Sequence, residues 1–167
     1  MGRENALTAR SREQVPDGHT GRRLAMSTEE NKKLVRRYIE TWNRGDLQDM
    51  AEFWSPDMIH HTRGGSHGFE SVLNIVSGFM QAFPDLHFTI EDIVADGDRV
   101  ASRMTATGTH TGEYMGKPAT GNKVSCSVFG IARVAEGKLV EHWGVTDELH
   151  LMEQIGLVPE EYLVAMA

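Results

Sequence analysis

The second half of the chain alternates apolar and polar residues in four runs separated by short turns. The runs cover residues 86–95, 99–110, 122–134 and 138–145. Alternation with a period of two predicts strands that each bury one face. Asp96-Gly97-Asp98 and the AEGK segment that begins at Ala135 have the composition of hairpin turns. The pattern therefore predicts an antiparallel meander whose buried face must be covered by the rest of the chain.

The first half carries the signals of helices. Ser27 and Glu30 match a capping box at the start of a first helix, which ends before Gly45. Asp46 caps a second helix, DLQDMAEFW, and Pro56 stops it. A short strand, MIHHT, a loop, TRGGSHG, and a third helix, FESVLNIVSGFMQAF, follow before the meander begins.

This order of elements predicts an α+β domain in which a curved antiparallel sheet wraps over the N-terminal helices. Such a sheet forms a cone with an open end and a hollow interior that can hold a small ligand. We expect the domain to cover residues 27–157. Residues 1–26 are predicted to form a disordered N-terminal extension, and residues 158–167 a C-terminal tail.

The composition excludes several functions. The formal net charge is −7, which argues against a nucleic-acid or an anionic membrane surface as partner. No apolar run approaches the ~20 residues of a membrane-spanning helix. Cys126 is the single cysteine and cannot form an internal disulfide. This fits a reducing compartment, and we expect a cytoplasmic protein.

Several motifs occur in a fixed order, namely PDMIHH, AFPDL, GTHTGEYMGKPATG and the closing GK…EHWG..D. Together they resemble the SnoaL-like polyketide cyclase (ester cyclase) family of the nuclear transport factor two-like superfamily, over about residues 31–157. The resemblance implies the cone-shaped fold and cofactor-free chemistry, since the family's cyclases close a ring with an aspartate as acid/base and a nearby histidine. Forming an enolate beside a carbonyl needs a base in a dry pocket and a donor for the developing oxyanion.

Two glycines stand where the resemblance places the cyclase pair. When the chain is aligned on the GK turn and the EH pair, the aspartate position is Gly144 and the histidine position is Gly130. Glycine cannot transfer a proton, so the usual aldol pair is absent from these two positions. We expect the glycines to leave a wider space in the pocket wall and to contact a bulkier ligand there.

Alternation along the last strand selects His142 as a candidate for acid/base work. Glu141 and Trp143 fall on one face with Leu139, and His142 falls on the other face with Gly144. The resemblance implies that this second face looks into the pocket. An imidazole titrates near neutrality and can act as base or donor there. Alternatively, His142 is a buried histidine that only hydrogen-bonds a backbone carbonyl.

The adjacent His60 and His61 must point to opposite faces of their strand. The resemblance favours His61 as the inward, catalytic residue, since family members carry a histidine there, and His60 is kept as a substrate contact. The alternative places His61 on the surface. Because diverging side chains are poor chelators and zinc needs three or four convergent ligands, no metal site is predicted.

Three further residues are candidates by position. Asp147 either shares proton transfer with His142 or caps the helix that begins immediately after it. Arg103 either binds a substrate carbonyl or carboxylate, or forms an outward cross-strand ion pair, for instance with Glu91. Trp54, at the end of the second helix, is either a core residue or a substrate contact at the mouth of the cone.

Two functions fit these residues. In the first, the chain is a cofactor-independent enzyme of the polyketide cyclase or isomerase type, in which His142, His61 and Asp147 transfer protons on a hydrophobic, carbonyl-bearing metabolite. In the second, the same cone is a non-catalytic binding or assembly module. In both cases we expect a homodimer through the outer sheet face, because outward Val, Phe and Ile side chains leave an apolar patch.

Overall fold

The computed structural model describes residues 26–62 and 64–159. The predicted extension up to residue 25 and the end of the predicted tail, residues 160–167, lie outside this part. Its elements are α1 (Thr28–Arg44), α2 (Leu47–Glu52), β1 (Trp54–Thr62), β2 (Gly65–His67), α3 (Phe69–Ala82), β3 (His87–Asp96), β4 (Arg99–Thr109), β5 (Lys123–Ala135), β6 (Lys138–Thr146) and α4 (Glu148–Gln154). None of these helices is both long and apolar enough to cross a membrane. The α+β class is confirmed.

Local sequence signals define both ends of α1. The backbone N–H of Glu30 donates to the Ser27 hydroxyl at 3.2 Å, and the Ser27 N–H donates to the Glu30 carboxylate at 2.7 Å. Gly45 ends the helix in the left-handed conformation, with a φ of 70°. The predicted capping box and the predicted end of this helix are therefore confirmed.

The second helix is shorter than predicted. Asp46 caps α2 as expected, but the helix ends at Glu52, and Trp54 is the first residue of β1. Pro56 lies inside that strand instead of stopping a helix. A proline is tolerated there because the pairing of β1 with β6 is interrupted between Trp54 and Ile59, and β2 pairs only with residues 60–62.

The six strands form one curved sheet that does not close, in the order β2-β1-β6-β5-β4-β3. The predicted meander from β3 to β6 is confirmed, and its antiparallel registers shift once between β3 and β4 and once between β5 and β6. Two features were not predicted. Residues Gly65–His67 of the expected loop form β2, which pairs with β1, and β1 runs parallel to β6. The parallel pair attaches the N-terminal half of the chain to the last strand.

Helices α1 and α3 contribute to the core together with the inner face of the sheet. The larger core cluster combines buried residues of these helices, such as Val35 and Val76, with strand residues such as Met104. An irregularity in β6 corrects the predicted alternation, since Leu139 pairs with Val134 and is only 1% exposed. The face assigned to Leu139 from the sequence was therefore wrong, because the extra residue between Leu139 and Glu141 shifts the alternation by one.

The outer face of the sheet exposes large apolar side chains on three strands. Val94, Phe129, Ile131 and Val145 are between 43% and 69% exposed. With Trp143 they line a groove of about 380 Å³. The predicted outer patch is therefore present. We name these five residues the outer patch.

Candidate active site

A pair of histidines lies on the inner face of the sheet, where β1 runs beside β6. The parallel register places His60 next to His142. Their rings are stacked with an interplanar angle of 9° and centroids 4.8 Å apart, and the two Nδ1 atoms are 2.8 Å apart. At this distance one Nδ1–H donates to the other Nδ1, so the two rings share one proton.

This hydrogen bond makes the two rings complementary. The donating ring carries its hydrogen on Nδ1, so its Nε2 is free to accept a proton. The accepting ring must carry its hydrogen on Nε2, which makes that nitrogen a donor. Neither Nε2 has a hydrogen-bond partner among residues 26–62 and 64–159. The neutral pair therefore presents one acceptor and one donor at its two Nε2 atoms.

Burial keeps both rings of the pair neutral. Desolvation lowers the pKa of His142 to about 3, and the neighbouring His60 and His61 lower it further. Desolvation is also the largest cause that lowers the pKa of His60, followed by His67 and His61. In the part of the chain that the structure describes, no carboxylate hydrogen-bonds either ring to offset this effect. Both rings are nevertheless only half-buried.

His61 lies on the outer face, so its predicted inward position is wrong. Its ring stacks on Trp143 with an interplanar angle of 10° and centroids 5.0 Å apart. Its Nε2 lies 2.9 Å from Oε1 of Glu141, and its Nδ1 lies 2.9 Å from Oγ of Ser66. The other oxygen of Glu141 accepts from Nε of Arg133 at 2.9 Å. The two bonds from His61 and Arg133 lower the pKa of the Glu141 carboxyl.

Gly130 and Gly144 lie opposite each other in β5 and β6, beneath the ring of His142. A Cβ atom added at Gly130 would lie 2.9 Å from Nε2 of His142, and one added at Gly144 would lie 3.1 Å from Cε1. The imidazole therefore occupies the space over both glycines. The expected wider space in the pocket wall is wrong, because this side chain fills it.

Asp147 is the N-cap of α4. Its Oδ1 accepts the backbone N–H of His150 at 3.2 Å. Among the described residues it hydrogen-bonds neither His60 nor His142. Burial raises the pKa of the Cys126 thiol to about 11, and the charge of Asp147 adds to this shift. The structure thus places Asp147 at the helix cap and does not join it to the histidine pair.

Arg103 points to the outer face. Its Nη2 lies 2.6 Å from Oδ2 of Asp92, and both side chains are largely exposed. The outward alternative is therefore the one that the structure shows, with Asp92 instead of Glu91 as the partner. The register between β3 and β4 shifts between Ile90 and Asp92, which brings Asp92 opposite Arg103.

Trp54 is a core residue and does not lie at a pocket mouth. It is 3% exposed, and its ring packs edge-on against Tyr38 at 6.2 Å and Phe69 at 5.7 Å between centroids. Burial raises the pKa of the Tyr38 hydroxyl, which the indoles of Trp42 and Trp54 partly offset. These aromatic rings anchor the start of β1 and so fix the strand that carries His60.

The sheet is curved and open, and two helices cover its inner face, where the histidine pair lies. This architecture is that of a cone-shaped α+β protein of the nuclear transport factor two-like class. The SnoaL-like polyketide cyclase model matches residues 32–155, and the chain belongs to this family.

Two kinds of relatives support the assignment. The chain is 30% identical over 129 residues to the aklanonic acid methyl ester cyclase DnrD of Streptomyces peucetius, covering 74% of this chain and 88% of that protein. Among solved structures, AclR of Streptomyces galilaeus, a provisionally assigned hydroxylase, superposes with a TM-score of 0.76 at 38% identity, covering 80% and 89% of the two chains. IdmH of Streptomyces antibioticus, a provisionally assigned polyketide cyclase, gives 0.68 at 32% identity, covering 75% and 98%.

Proposed function

We propose that this chain is a cofactor-independent enzyme of the polyketide cyclase or isomerase type, which moves a proton on a hydrophobic, carbonyl-bearing metabolite. The observation that carries the proposal is the 2.8 Å bond between the Nδ1 atoms of His60 and His142 on the inner sheet face. Enolate formation needs a base for the proton beside the carbonyl and a donor for the carbonyl oxygen. The neutral pair supplies both.

Burial lowers the pKa of both rings, so the pair is neutral before the reaction. Within this pair we propose Nε2 of His60 as the base and Nε2–H of His142 as the donor. As His60 takes the proton, the C–H electron pair moves to form the enolate, whose oxygen accepts a hydrogen bond from His142. The enolate carbon then attacks a second carbonyl, whose oxygen takes the proton back from His60, or the enolate takes that proton at another carbon, and His60 is neutral again in both cases.

The surroundings of the pair support an apolar substrate. Across β4 and β5 the inner face continues with Met104, Val128 and Ala132, which are buried or partly buried in the core. Apolar surroundings of this kind lower the local dielectric constant, which strengthens the proposed hydrogen bond between His142 and an enolate oxygen. They also favour a hydrophobic metabolite over a charged one.

Hydrogen exchange tests the proposal without knowledge of the natural product. The wild-type chain is incubated in D₂O with a panel of aromatic and polycyclic β-ketones, and deuterium beside the carbonyl is measured by mass spectrometry. We expect catalysed exchange that His60→Gln abolishes. A ketone that binds, shown by calorimetry, yet exchanges no faster than without protein across the panel would favour the non-catalytic binding module.

Hydroxylation is a second candidate, since the chain is 38% identical to AclR. It would begin with the same proton abstraction, after which the substrate carbanion transfers electrons to dioxygen and forms a C–O bond, giving a hydroperoxide. A two-electron reductant, such as a second molecule of substrate carbanion or a thiol, then reduces the hydroperoxide to the alcohol and water. Oxygen dependence separates the two reactions. Cyclisation and isomerisation proceed under argon, whereas hydroxylation stops and consumes dioxygen in air.

The glycines predict slow turnover of the ester that gives DnrD its name. Gly130 and Gly144 stand at the positions that the resemblance gives to the aldol pair, so we expect aklanonic acid methyl ester to be cyclised at least ~10²-fold more slowly than by DnrD. Comparable rates in parallel assays would show that the histidine pair replaces the aldol residues fully.

The single, buried Cys126 supports a further proposal, that the enzyme works in the cytoplasm.

A further inference from the structure

We infer that Gly130 is a positioning residue for His142. The effect of Gly130 on the geometry of the ring does not depend on the proposed function, whereas an effect of Gly130 on catalysis rests on it. The lack of a side chain at this position lets the imidazole lie across β5 and reach Nδ1 of His60. Gly144 has the same role to a smaller degree.

The backbone does not require glycine at either position. Gly130 and Gly144 are absent from the residues with positive φ in the described part, so a residue with a side chain can adopt either conformation. Gly130 also lies in the middle of a long strand, opposite Ser102 in β4 and Gly144 in β6. Glycine weakens such a strand. The reason for glycine must therefore be the space above it.

The side chain of His142 makes the closest contact in that space at both positions. A Cβ at Gly130 would lie 2.9 Å from Nε2 of His142, well inside the ~3.5–4.0 Å of favourable contact between non-bonded atoms. At Gly144 the distances are 3.1 Å to Cε1 of His142 and 3.4 Å to Cε1 of His60. The His142 ring is the movable group in the closest contact at each position, and its shift alters the 2.8 Å bond between its Nδ1 and Nδ1 of His60.

A side chain at position 130 therefore displaces the His142 ring, and the bond between the two Nδ1 atoms lengthens or breaks. A side chain at position 144 displaces the ring less, since its contacts are longer. In this chain the observed histidine pair therefore depends on glycine at 130 more than on glycine at 144.

Alanine substitutions test this inference directly. Nitrogen NMR of the histidine side chains reports which ring nitrogens carry hydrogen, and the measurement needs no substrate. We expect complementary tautomers for His60 and His142 in the wild type. Gly130→Ala should remove this pattern and raise the pKa of His142, and Gly144→Ala should do so partially. Gly78→Ala is the control, since a Cβ there meets nothing within 4 Å.

A double-mutant cycle in thermal unfolding separates a steric cause from a general fold defect. If the added methyl acts on the His142 ring, Gly130→Ala should lower Tm in the wild type and lower it less when His142→Ala is already present. Unchanged His142 signals in Gly130→Ala, or equal Tm losses in both backgrounds, would overturn the inference. Failure of the proposed function is distinguishable, because the NMR effect would then remain while no ketone exchanges hydrogen.

Discussion

His60 and His61 are neighbours in one strand, yet they lie in opposite environments. Each ring stacks on a residue of β6 at nearly the same distance, with centroids 4.8 Å from His142 and 5.0 Å from Trp143. The inner ring bonds to another imidazole at 2.8 Å, and the outer ring bonds to the Glu141 carboxylate at 2.9 Å. The stacking geometry is therefore shared, and the hydrogen-bond partner differs.

The partner decides what each histidine can do. On the inner face burial lowers the pKa of both His60 and His142, and no carboxylate of the described residues hydrogen-bonds either ring. The pair therefore stays neutral, and neither Nε2 has a hydrogen-bond partner within that part of the chain. On the outer face both ring nitrogens of His61 are occupied, by Glu141 and Ser66. The inner face is suited to proton transfer, and the outer face is suited to holding strands together.

The largest expected effect is on catalysis, and it should distinguish the two neighbours. His60→Gln removes the proposed base, so we expect exchange or turnover to fall by on the order of 10²–10⁴. His61→Gln is the matched control in the same strand, and we expect less than about a threefold change, since side-chain bonds on the outer face do not reach the inner one. A larger loss from His61→Gln would contradict the comparison.

Two substitutions of His142 test its role as donor. Leucine cannot donate a hydrogen bond, and we expect a loss of about 10²–10³, as for removal of one oxyanion donor. Glutamine keeps an N–H near the position of Nε2, so His142→Gln should lose clearly less. Equal losses would show that His142 is the base and that the roles assigned to the pair are reversed.

The next largest effect concerns association through the outer patch. We propose that two copies pair there, because Phe129 and Val145 are 51% and 69% exposed on a continuous sheet face. Phe129→Asp should weaken the dimer by about 2 kcal/mol or more, as for a central interface aromatic. Sedimentation of the full chain across micromolar concentrations measures this, with Thr107→Asp, a polar and exposed outer-face position, as the control. A wild-type chain that sediments as a monomer at all of these concentrations would contradict the proposal.

Much of the fold could be predicted because its signals are local. The capping box at Ser27, the turn at Gly97 and the alternation of β3 to β5 each depend on residues close in sequence. The predicted end of α2 was wrong because local sequence was the only information used. Pro56 is an equally good sign of a helix end and of a strand without a complete set of partners, and local sequence does not distinguish these cases.

The site was predicted less well because it depends on a parallel strand pair. His60 and His142 are 82 residues apart and meet only through the register of β1 with β6. One local signal was available. Met58 and His60 share a strand face, and Met58 is 3% exposed, so alternation from this methionine would have placed His60 inward. The adjacent Ile59 is equally apolar, and this made the choice ambiguous.

A smaller effect is expected on the pH dependence of stability, from the inner pair of histidines. The pKa of His142 is about 3 in the folded chain, against an ordinary value of 6.5. Below pH 6.5 the unfolded chain therefore binds a proton that the folded chain does not. The free energy of unfolding should therefore decrease as the pH is lowered through this range. His142 should contribute up to roughly 1.4 kcal/mol per pH unit to this decrease. His142→Gln should flatten the profile, measured by denaturant unfolding between pH 7 and pH 4, whereas His61→Gln should not.

The smallest effect is predicted for the Arg103–Asp92 ion pair, which tests whether the outer face contributes to ligand binding. The two atoms are 2.6 Å apart, but the side chains are 48% and 66% exposed. Exposed pairs of this kind contribute roughly 0–1 kcal/mol. Arg103→Ala should therefore change the free energy of unfolding by less than about 1 kcal/mol, and Asp92→Asn should change it similarly, with little additional effect in the double mutant. Catalysed exchange should remain within about twofold, because the guanidinium lies on the face opposite the histidine pair. A selective rise in KM for an acidic ketone in Arg103→Ala, with kcat unchanged, would instead show that substrate reaches the outer groove.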